Sequence, residues 1–193
     1  LVGEIVNVCA DERILDDNGL YDVHVEETRG YLSDHYDPRS KVVRLSSANY
    51  HGHSVAATAV SAHEVGHAIQ DQQDYAFLRL RHSLVPVANI GSNLSWVLIL
   101  IGFIAGASQF VLFGIICMLA AVLFQVVTLP VEFNASNRAM DQVISLGIIR
   151  NDEERETKKV LNAAALTYVA AAAVAVLELV RLILIYTGMN NDD

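Results

Sequence analysis

One stretch of this chain restricts its possible folds more than any other: the 48 residues from Leu84 to Val131 contain no charged residue. A single membrane-spanning helix needs about 20 predominantly apolar residues, so this stretch has room for two. We predict one helix from about Leu84 to Ala107 and a second from about Phe110 to Leu129, with a tight turn at Ser108 and Gln109. The alternative is a buried hairpin in a large soluble core, which so long an uncharged stretch disfavours.

A third apolar run extends from about Leu161 to Tyr186 and contains Glu178 and Arg181, three residues apart. That spacing predicts an ion pair within one helix, with the arginine side chain extended towards the membrane surface. Hydrophobic residues make up 53% of the chain, which is more than a typical soluble domain contains. The sequence therefore predicts a mainly α-helical membrane protein with about three transmembrane helices.

The first predicted transmembrane helix is polar in its opening half. Asn89, Ser92 and Asn93 follow the i, i+3, i+4 spacing of a single helix face. Polar side chains in a membrane helix usually face other helices, because lipid offers them no hydrogen-bond partner. We therefore expect this face to pack against protein.

Residues 63–67 have the pattern H-E-x-x-H, within a predicted helix that Ser54 caps and that ends near Gln70. Positions i and i+4 lie on one face of a helix, so His63 and His67 can bind one zinc ion. Glu64 would then point towards a metal-bound water and act as a general base. The pattern also arises by chance, so the residues around it determine whether it indicates a zinc site.

The predicted hairpin indicates where the polar segments lie. Two helices joined by a tight turn return the chain to the side of the membrane that it left, so the segments before Leu84 and after Leu129 share one side. The turn carries no charge, and the positive-inside rule therefore places the polar segments, and a catalytic part within them, in the cytoplasm. The positive charges on that side are Arg79, Arg81, Arg138, Arg150, Lys158 and Lys159.

A catalytic zinc ion takes three protein ligands and keeps one position open for water. The second membrane helix brings the chain back to the side of the histidines at Glu132, in a helix predicted from about Val131 to Leu146, so we expect Glu132 to be the third ligand. The alternative is that Glu132 is only a favourable charge at a helix N-terminus. Other candidates are Asp141, Glu153, Glu154 and Glu156, while His51 and His53 are expected at the surface.

Short elements surround the histidine motif in the polar part. A helix is predicted over Gly3 to Asp17, and strands over Tyr21 to Glu26, Tyr31 to Tyr36 and Lys41 to Leu45. The predicted organisation is thus a small α+β zincin-like part with a short β-sheet next to the HExxH helix. The segments are 1–83 for this part, 84–129 for the transmembrane hairpin, 130–160 for a cytoplasmic helix with the third ligand, and 161–193 for the third transmembrane helix and tail.

Six stretches share their residues with one known family: LYDV at 20–23, DHYDPR at 34–39, AHEVGHAIQ at 62–70, LVPVANIGSN at 84–93, LPVEFNAS at 129–136 and AAALTYV at 163–169. Through them the chain resembles the bacterial membrane zinc metallopeptidases of the YugP-like type over nearly its whole length. The resemblance implies a membrane-embedded zinc peptidase, with one further transmembrane helix expected upstream of Leu1.

Residues 132–136 are more distantly similar to the Glu-aromatic-x-Ala-Asp pattern of the HtpX-like gluzincin peptidases. In those proteins the glutamate is the third zinc ligand and the aspartate supports a ligand, which implies the ligand role for Glu132. Ser136 stands where that pattern has aspartate. Ser136, Asn137 or Asn134 is therefore expected to orient a histidine.

These features predict a zinc-dependent endopeptidase at the cytoplasmic face of a bacterial cell membrane, acting on membrane or membrane-proximal proteins. An exposed strand edge, Lys41 to Leu45 or Tyr31 to Tyr36, is expected to bind the substrate backbone. The alternative is a non-catalytic membrane subunit with a structural zinc site that binds another membrane complex or a second copy of itself. The net charge of −9, with no basic stripe, argues against a nucleic-acid partner.

Overall fold

The computed structural model describes residues 7–191, and within that range the side chains of residues 10–189. The predicted positions Ile5, Val6 and Cys9 of the first helix lie outside the described side chains. Two compact units are formed, one of residues 7–75 with 131–166 and the other of residues 76–130 with 167–191. The elements are α1 (Asn7–Asp17), β1 (His24–Thr28), β2 (His35–Asp37), β3 (Val42–Ser46), α2 (Ser47–Tyr50), α3 (Val55–Gln72), α4 (Ala76–Ala105), α5 (Ser108–Ser145) and α6 (Glu154–Asn191).

The first unit has one hydrophobic core. Ile14 of α1, Leu45 of β3 and Val65 of α3 are buried together with Val143 of α5 and Leu161 of α6. α1 ends at Asp17 and is followed by Gly19 with φ +69°, a conformation that glycine adopts without a steric penalty. The core therefore joins α1, the sheet and α3 to the last turns of α5 and the first turns of α6.

The three-stranded sheet has the order β1-β3-β2, with β1 parallel and β2 antiparallel to β3. β3 is central and its Val43 and Leu45 are fully buried, so the prediction that Lys41 to Leu45 forms an exposed strand edge is wrong. The edge predicted at Tyr31 to Tyr36 is shorter than expected, because β2 begins only at His35. Leu32, with φ +55°, cannot continue a strand.

The HExxH helix α3 begins as predicted. The Ser54 side chain accepts a hydrogen bond from the backbone N–H of Ala57 at 3.1 Å and so caps the first turn. The other end of α3 is tied to the sheet, because Tyr36 donates to the buried Asp71 at 2.9 Å and Lys41 contacts the same carboxylate at 2.8 Å.

The second unit contains an antiparallel helix pair packed through small residues. A Cβ on Gly91 of α4 would lie 2.6 Å from the carbonyl oxygen of Cys117 of α5, and one on Gly102 would lie 2.6 Å from the Val111 side chain. The end of α4 meets the start of α5, and residues earlier in α4 meet residues later in α5, so the predicted hairpin is present. Its turn lies at Gly106 and Ala107, whereas Ser108 and Gln109, where the turn was expected, already belong to α5. Such close backbone approach is typical of helices that associate in membranes.

The polar face of α4 differs from the expectation. Asn89 and Asn93 are exposed and Ser92 is half-buried, so the described part of this chain does not cover that face.

The predicted ion pair in α6 is present, since Arg181 donates from one nitrogen to both carboxylate oxygens of Glu178 at 3.1 Å.

Helix α5 continues through Pro130, so the separate helix predicted from Val131 does not exist. Proline lacks a backbone N–H, but membrane helices tolerate the lost bond when nearby groups satisfy the freed carbonyl. Glu132 thus lies in the interior of a 38-residue helix, which removes the helix-terminus explanation of its charge. α4, α5 and α6 are all long and apolar enough to cross a membrane, and the predicted fold class is confirmed.

Candidate metal centre

Two helices of the first unit bring three potential metal ligands together. His63 and His67 lie one turn apart on α3, and Glu132 of α5 faces them with its side chain only 2% exposed. The Oε2 atom of Glu132 lies 3.2 Å from Nε2 of His63 and 3.6 Å from Nε2 of His67. Among the residues that the structure describes, these three form the group whose donor atoms lie within 4.8 Å of one another.

The spacing of these donors suits zinc. Zinc bonds of about 2.0–2.2 Å to nitrogen and oxygen in a tetrahedron place neighbouring ligand atoms about 3.3–3.6 Å apart. The two measured distances from Glu132 to the histidines, 3.2 and 3.6 Å, lie close to that value. Two imidazole nitrogens and one carboxylate oxygen are also the donor set of a catalytic zinc ion, which keeps a fourth position open.

Each histidine is held by a second hydrogen bond on its far side. Nδ1 of His63 lies 3.1 Å from the hydroxyl oxygen of Ser136, and Nδ1 of His67 lies 3.0 Å from Oε1 of Gln70. When Nδ1 carries the proton, it donates to these oxygens and leaves Nε2 free to bind a metal. Both rings are thereby oriented with Nε2 towards Glu132.

The contact of Gln70 with His67 was not predicted from the sequence. Gln70 is fully buried and donates from Nε2 to the Val131 carbonyl at 2.8 Å and to Oδ1 of Asn134 at 2.9 Å. The available signal was a polar residue three positions after His67, on the helix face that also carries His63 and His67. Gln70 therefore links the second histidine to the backbone next to Glu132.

The remaining candidates for supporting a histidine lie in different places. Asn134 acts through Gln70 and also accepts a hydrogen bond from Nε of Arg138 at 2.7 Å. Asn137 is exposed and makes no hydrogen bond to either histidine within the described range 7–191. Of the three residues suggested by the sequence, Ser136 is the one in direct contact with a histidine.

A close approach of two backbones makes the centre possible. A Cβ on Gly66 would lie 2.6 Å from the carbonyl oxygen of Ala135, a separation that side chains do not tolerate. Gly66 lies between the two histidines on α3, and Ala135 lies one turn after Glu132 on α5. The glycine therefore lets α5 come near enough for Glu132 to reach both imidazoles.

The electrostatics favour an ionised Glu132. Burial by itself would raise the pKa of this carboxyl, but the hydrogen bonds and the charges of His63 and His67 together outweigh burial and hold the pKa well below its usual range. Burial likewise opposes a charge on His67, yet Glu132 and Glu64 raise the pKa of this imidazole overall. The centre thus has a net attraction for positive charge.

Glu64 is buried beside the histidines and makes no hydrogen bond or ion pair to any residue whose side chain is described.

The alternative ligands lie elsewhere: Asp141 and Glu156 are exposed, and Glu153 accepts a hydrogen bond from the backbone of Arg150 at 2.8 Å. His51 and His53 are exposed, as expected.

The structure thus combines a His/His/Glu group that could hold a metal ion with three helices long and apolar enough to cross a membrane. The family model described as "Putative neutral zinc metallopeptidase" matches residues 7–187, and the chain belongs to that family. The chain is 55% identical over 181 residues to the "Putative membrane protease YugP" of Bacillus subtilis (strain 168), a match that covers 94% of this chain and 80% of that protein. No solved structure matches the chain.

Proposed function

We propose that this protein is a zinc-dependent endopeptidase that works at the cytoplasmic face of the cell membrane and cleaves membrane or membrane-proximal proteins. The observation that carries the proposal is the meeting of His63, His67 and Glu132 at ligand distances. The neighbouring Glu64 forms no ion pair with the residues whose side chains are described. Family membership and the match to a named membrane protease support the proposal.

Each residue of the centre has a separate role in the proposed hydrolysis. His63, His67 and Glu132 would hold the zinc ion, with the imidazoles oriented by Ser136 and Gln70. When bound, zinc supplies a water of lowered pKa and a Lewis acid for the peptide carbonyl. Glu64 accepts a proton from the attacking water and returns it to the departing amine.

The donor set favours catalysis over the alternative of a structural zinc site. Structural zinc ions are usually enclosed by four protein ligands, whereas three candidate ligands meet here among the described residues. A structural site would also have no need of Glu64, whose place after His63 in the HExxH pattern supports the role of a general base.

Replacement of two neighbouring residues tests the proposal. Glu64→Gln should retain about one zinc ion per chain and lose hydrolysis by at least about 10²–10⁴-fold, because the amide cannot accept the proton. His63→Ala should lose both zinc and hydrolysis. The measurements are metal analysis of the detergent-purified chain and mass spectrometry of peptide digests, before and after chelation and zinc addition. Full activity in Glu64→Gln contradicts the mechanism, and a native protein that binds zinc but cuts nothing supports the structural-subunit alternative.

A further inference from the structure

A cavity of about 460 Å³ lies in the first unit beside the opening turns of α3, outside the group of metal-binding candidates. Its wall on the helix is formed by Ala56, Ala57 and Val60. Facing them are the loop between β1 and β2, with Tyr31 and Leu32, and the chain at the end of β3. A cavity of this size can accept one large side chain.

Helix geometry connects this cavity with the candidate metal centre. Ala56, Val60, His63 and His67 follow the i, i+4, i+7, i+11 spacing, so they share one face of α3. Val60 comes one turn before both His63 and Glu64, which is a rise of roughly 5 Å along the helix axis. A peptide bond at the metal centre would therefore have an adjacent side chain within reach of the cavity.

Four polar side chains of the cavity wall already form hydrogen bonds within the protein. Asp34 accepts hydrogen bonds from the backbone N–H and the hydroxyl of Ser46 at 2.8 and 3.0 Å. The Ser54 hydroxyl oxygen caps Ala57, and the Ser47 hydroxyl donates to Glu27. What the cavity offers a ligand is consequently the alkyl surface of the alanines and Val60, which gains from covering an apolar group.

The rim of the cavity exposes apolar side chains to an unusual degree. Tyr31 is 92% exposed and Leu32 is 88% exposed. Leu32 also has φ +55°, a conformation that is unfavourable for a branched residue and is typical of functional loops. A substrate chain lying over this rim would cover both side chains.

We propose that this cavity is the subsite that selects an apolar substrate residue, such as Leu, Met or Phe, next to the scissile bond. The inference rests on the proposed peptidase function and adds the class of side chain that the site selects. Val60 and Ala56 are its specificity-determining residues, because they form the wall nearest to the metal centre.

Two variants of opposite effect test the subsite. Ala56→Phe fills the cavity and should lower kcat/KM for peptides with Leu or Phe at the selected position at least about tenfold, with little change for Ala peptides. Val60→Ala enlarges the cavity and should extend cleavage to Trp. Val55→Phe, on the same turn but outside the cavity lining, is the matched control and should keep the native preference.

The assay uses the zinc-loaded full chain in detergent micelles and a peptide library with one varied position, read by mass spectrometry. A second readout is fluorescence anisotropy of Leu and Ala peptides on Glu64→Gln, where Ala56→Phe should weaken only the Leu peptide. Zinc content and melting temperature show whether each variant is folded. If Ala56→Phe does not fold, Val60→Ala still tests the subsite.

Each result has a distinct meaning. A native preference for Lys or Arg, which the Asp34 carboxylate would produce, overturns the apolar subsite, and so does a preference that neither variant changes. In both cases cleavage itself leaves the peptidase proposal standing. If the native protein cuts no peptide in the library, the proposed function fails and the subsite fails with it.

Discussion

Asp11 of α1 is a buried carboxyl that the proposed chemistry does not use. Its side chain is 1% exposed and accepts a short hydrogen bond from the Ser61 hydroxyl of α3. Burial raises its pKa to about 8; the Ser61 bond opposes the shift, while Glu64 and Glu12 add to it. Asp11 is therefore protonated in the folded protein at neutral pH, and it ties α1 to the turn before His63.

This carboxyl makes stability depend on pH. The unfolded chain releases the proton near pH 3.8, whereas the folded chain keeps it up to about pH 8. The folded state binds more protons in that window, so the free energy of unfolding falls as the pH rises from about 4 to 8. Each unit of pKa difference corresponds to about 1.4 kcal/mol, which makes the total a few kcal/mol.

Replacing Asp11 with Asn should remove this dependence. We expect Asp11→Asn to melt at a higher temperature than the native chain at pH 8 and to exceed it by a much smaller margin at pH 5, by circular dichroism in detergent. The exposed Asp16→Asn on the same helix is the control and should follow the native curve. A loss of stability of equal size at both pH values would mean that Asp11 is ionised in the folded state.

The residues of the candidate centre differ in how far the sequence reveals them. His63, Glu64 and His67 are evident because their spacing is local to one helix turn. Glu132, 65 residues after His67, was expected beside them only through the topology of the hairpin, and its carboxylate lies 3.2 Å from His63. Gln70 could not be recognised, because its function depends on a contact with the backbone of Val131.

At the scale of elements, the crossing of α3 and α5 depends on Gly66. We predict that Gly66→Ala forces the helices apart, since the new Cβ would lie 2.6 Å from the Ala135 carbonyl oxygen. The expected cost is about 1–3 kcal/mol of stability from overpacking. Zinc affinity should fall at least about tenfold, because Glu132 moves away from both histidines.

Thermal melting and competition with a zinc chelator measure these two effects. Gly188→Ala is the matched control: it also lies inside a helix, but its new Cβ would meet no described residue within 4 Å apart from the backbone of its own helix. Alanine there should leave zinc binding unchanged and slightly favour the helix. Native zinc affinity in Gly66→Ala would show that the close approach of the backbones is not needed for the centre.

The elements themselves were predictable where the pattern was long and periodic. The uncharged stretch predicted the α4–α5 hairpin, and Ser54 predicted the start of α3. The sequence could not show that β3 pairs on both sides, because its partners follow from long-range packing and not from its own residues. The helix start expected at Pro130 is wrong for a related reason: the effect of a proline on a helix depends on the groups that surround it.

At the scale of the whole molecule, the two units interleave along the chain. The first unit ends at residue 75 and resumes at residue 131, so the chain leaves it just before α4 and returns to it within α5. If that hairpin crosses the membrane, Ser40 and Asn151 of the first unit must lie on the same side. The lysines and arginines that flank the hairpin predict that this side is the cytoplasm.

Labelling of single cysteines tests this topology in a chain with Cys9 and Cys117 replaced. Ser40→Cys and Asn151→Cys are both exposed positions and should react with a membrane-impermeant maleimide only after the cells are opened. Ala107→Cys, in the turn between α4 and α5, should react in intact cells. Labelling of Ser40 and Asn151 from opposite sides would contradict the hairpin and, with it, the meeting of Glu132 with the histidines. Labelling of both positions in intact cells would reverse the orientation and leave the centre in place, because the three candidate ligands belong to one unit whichever side it faces.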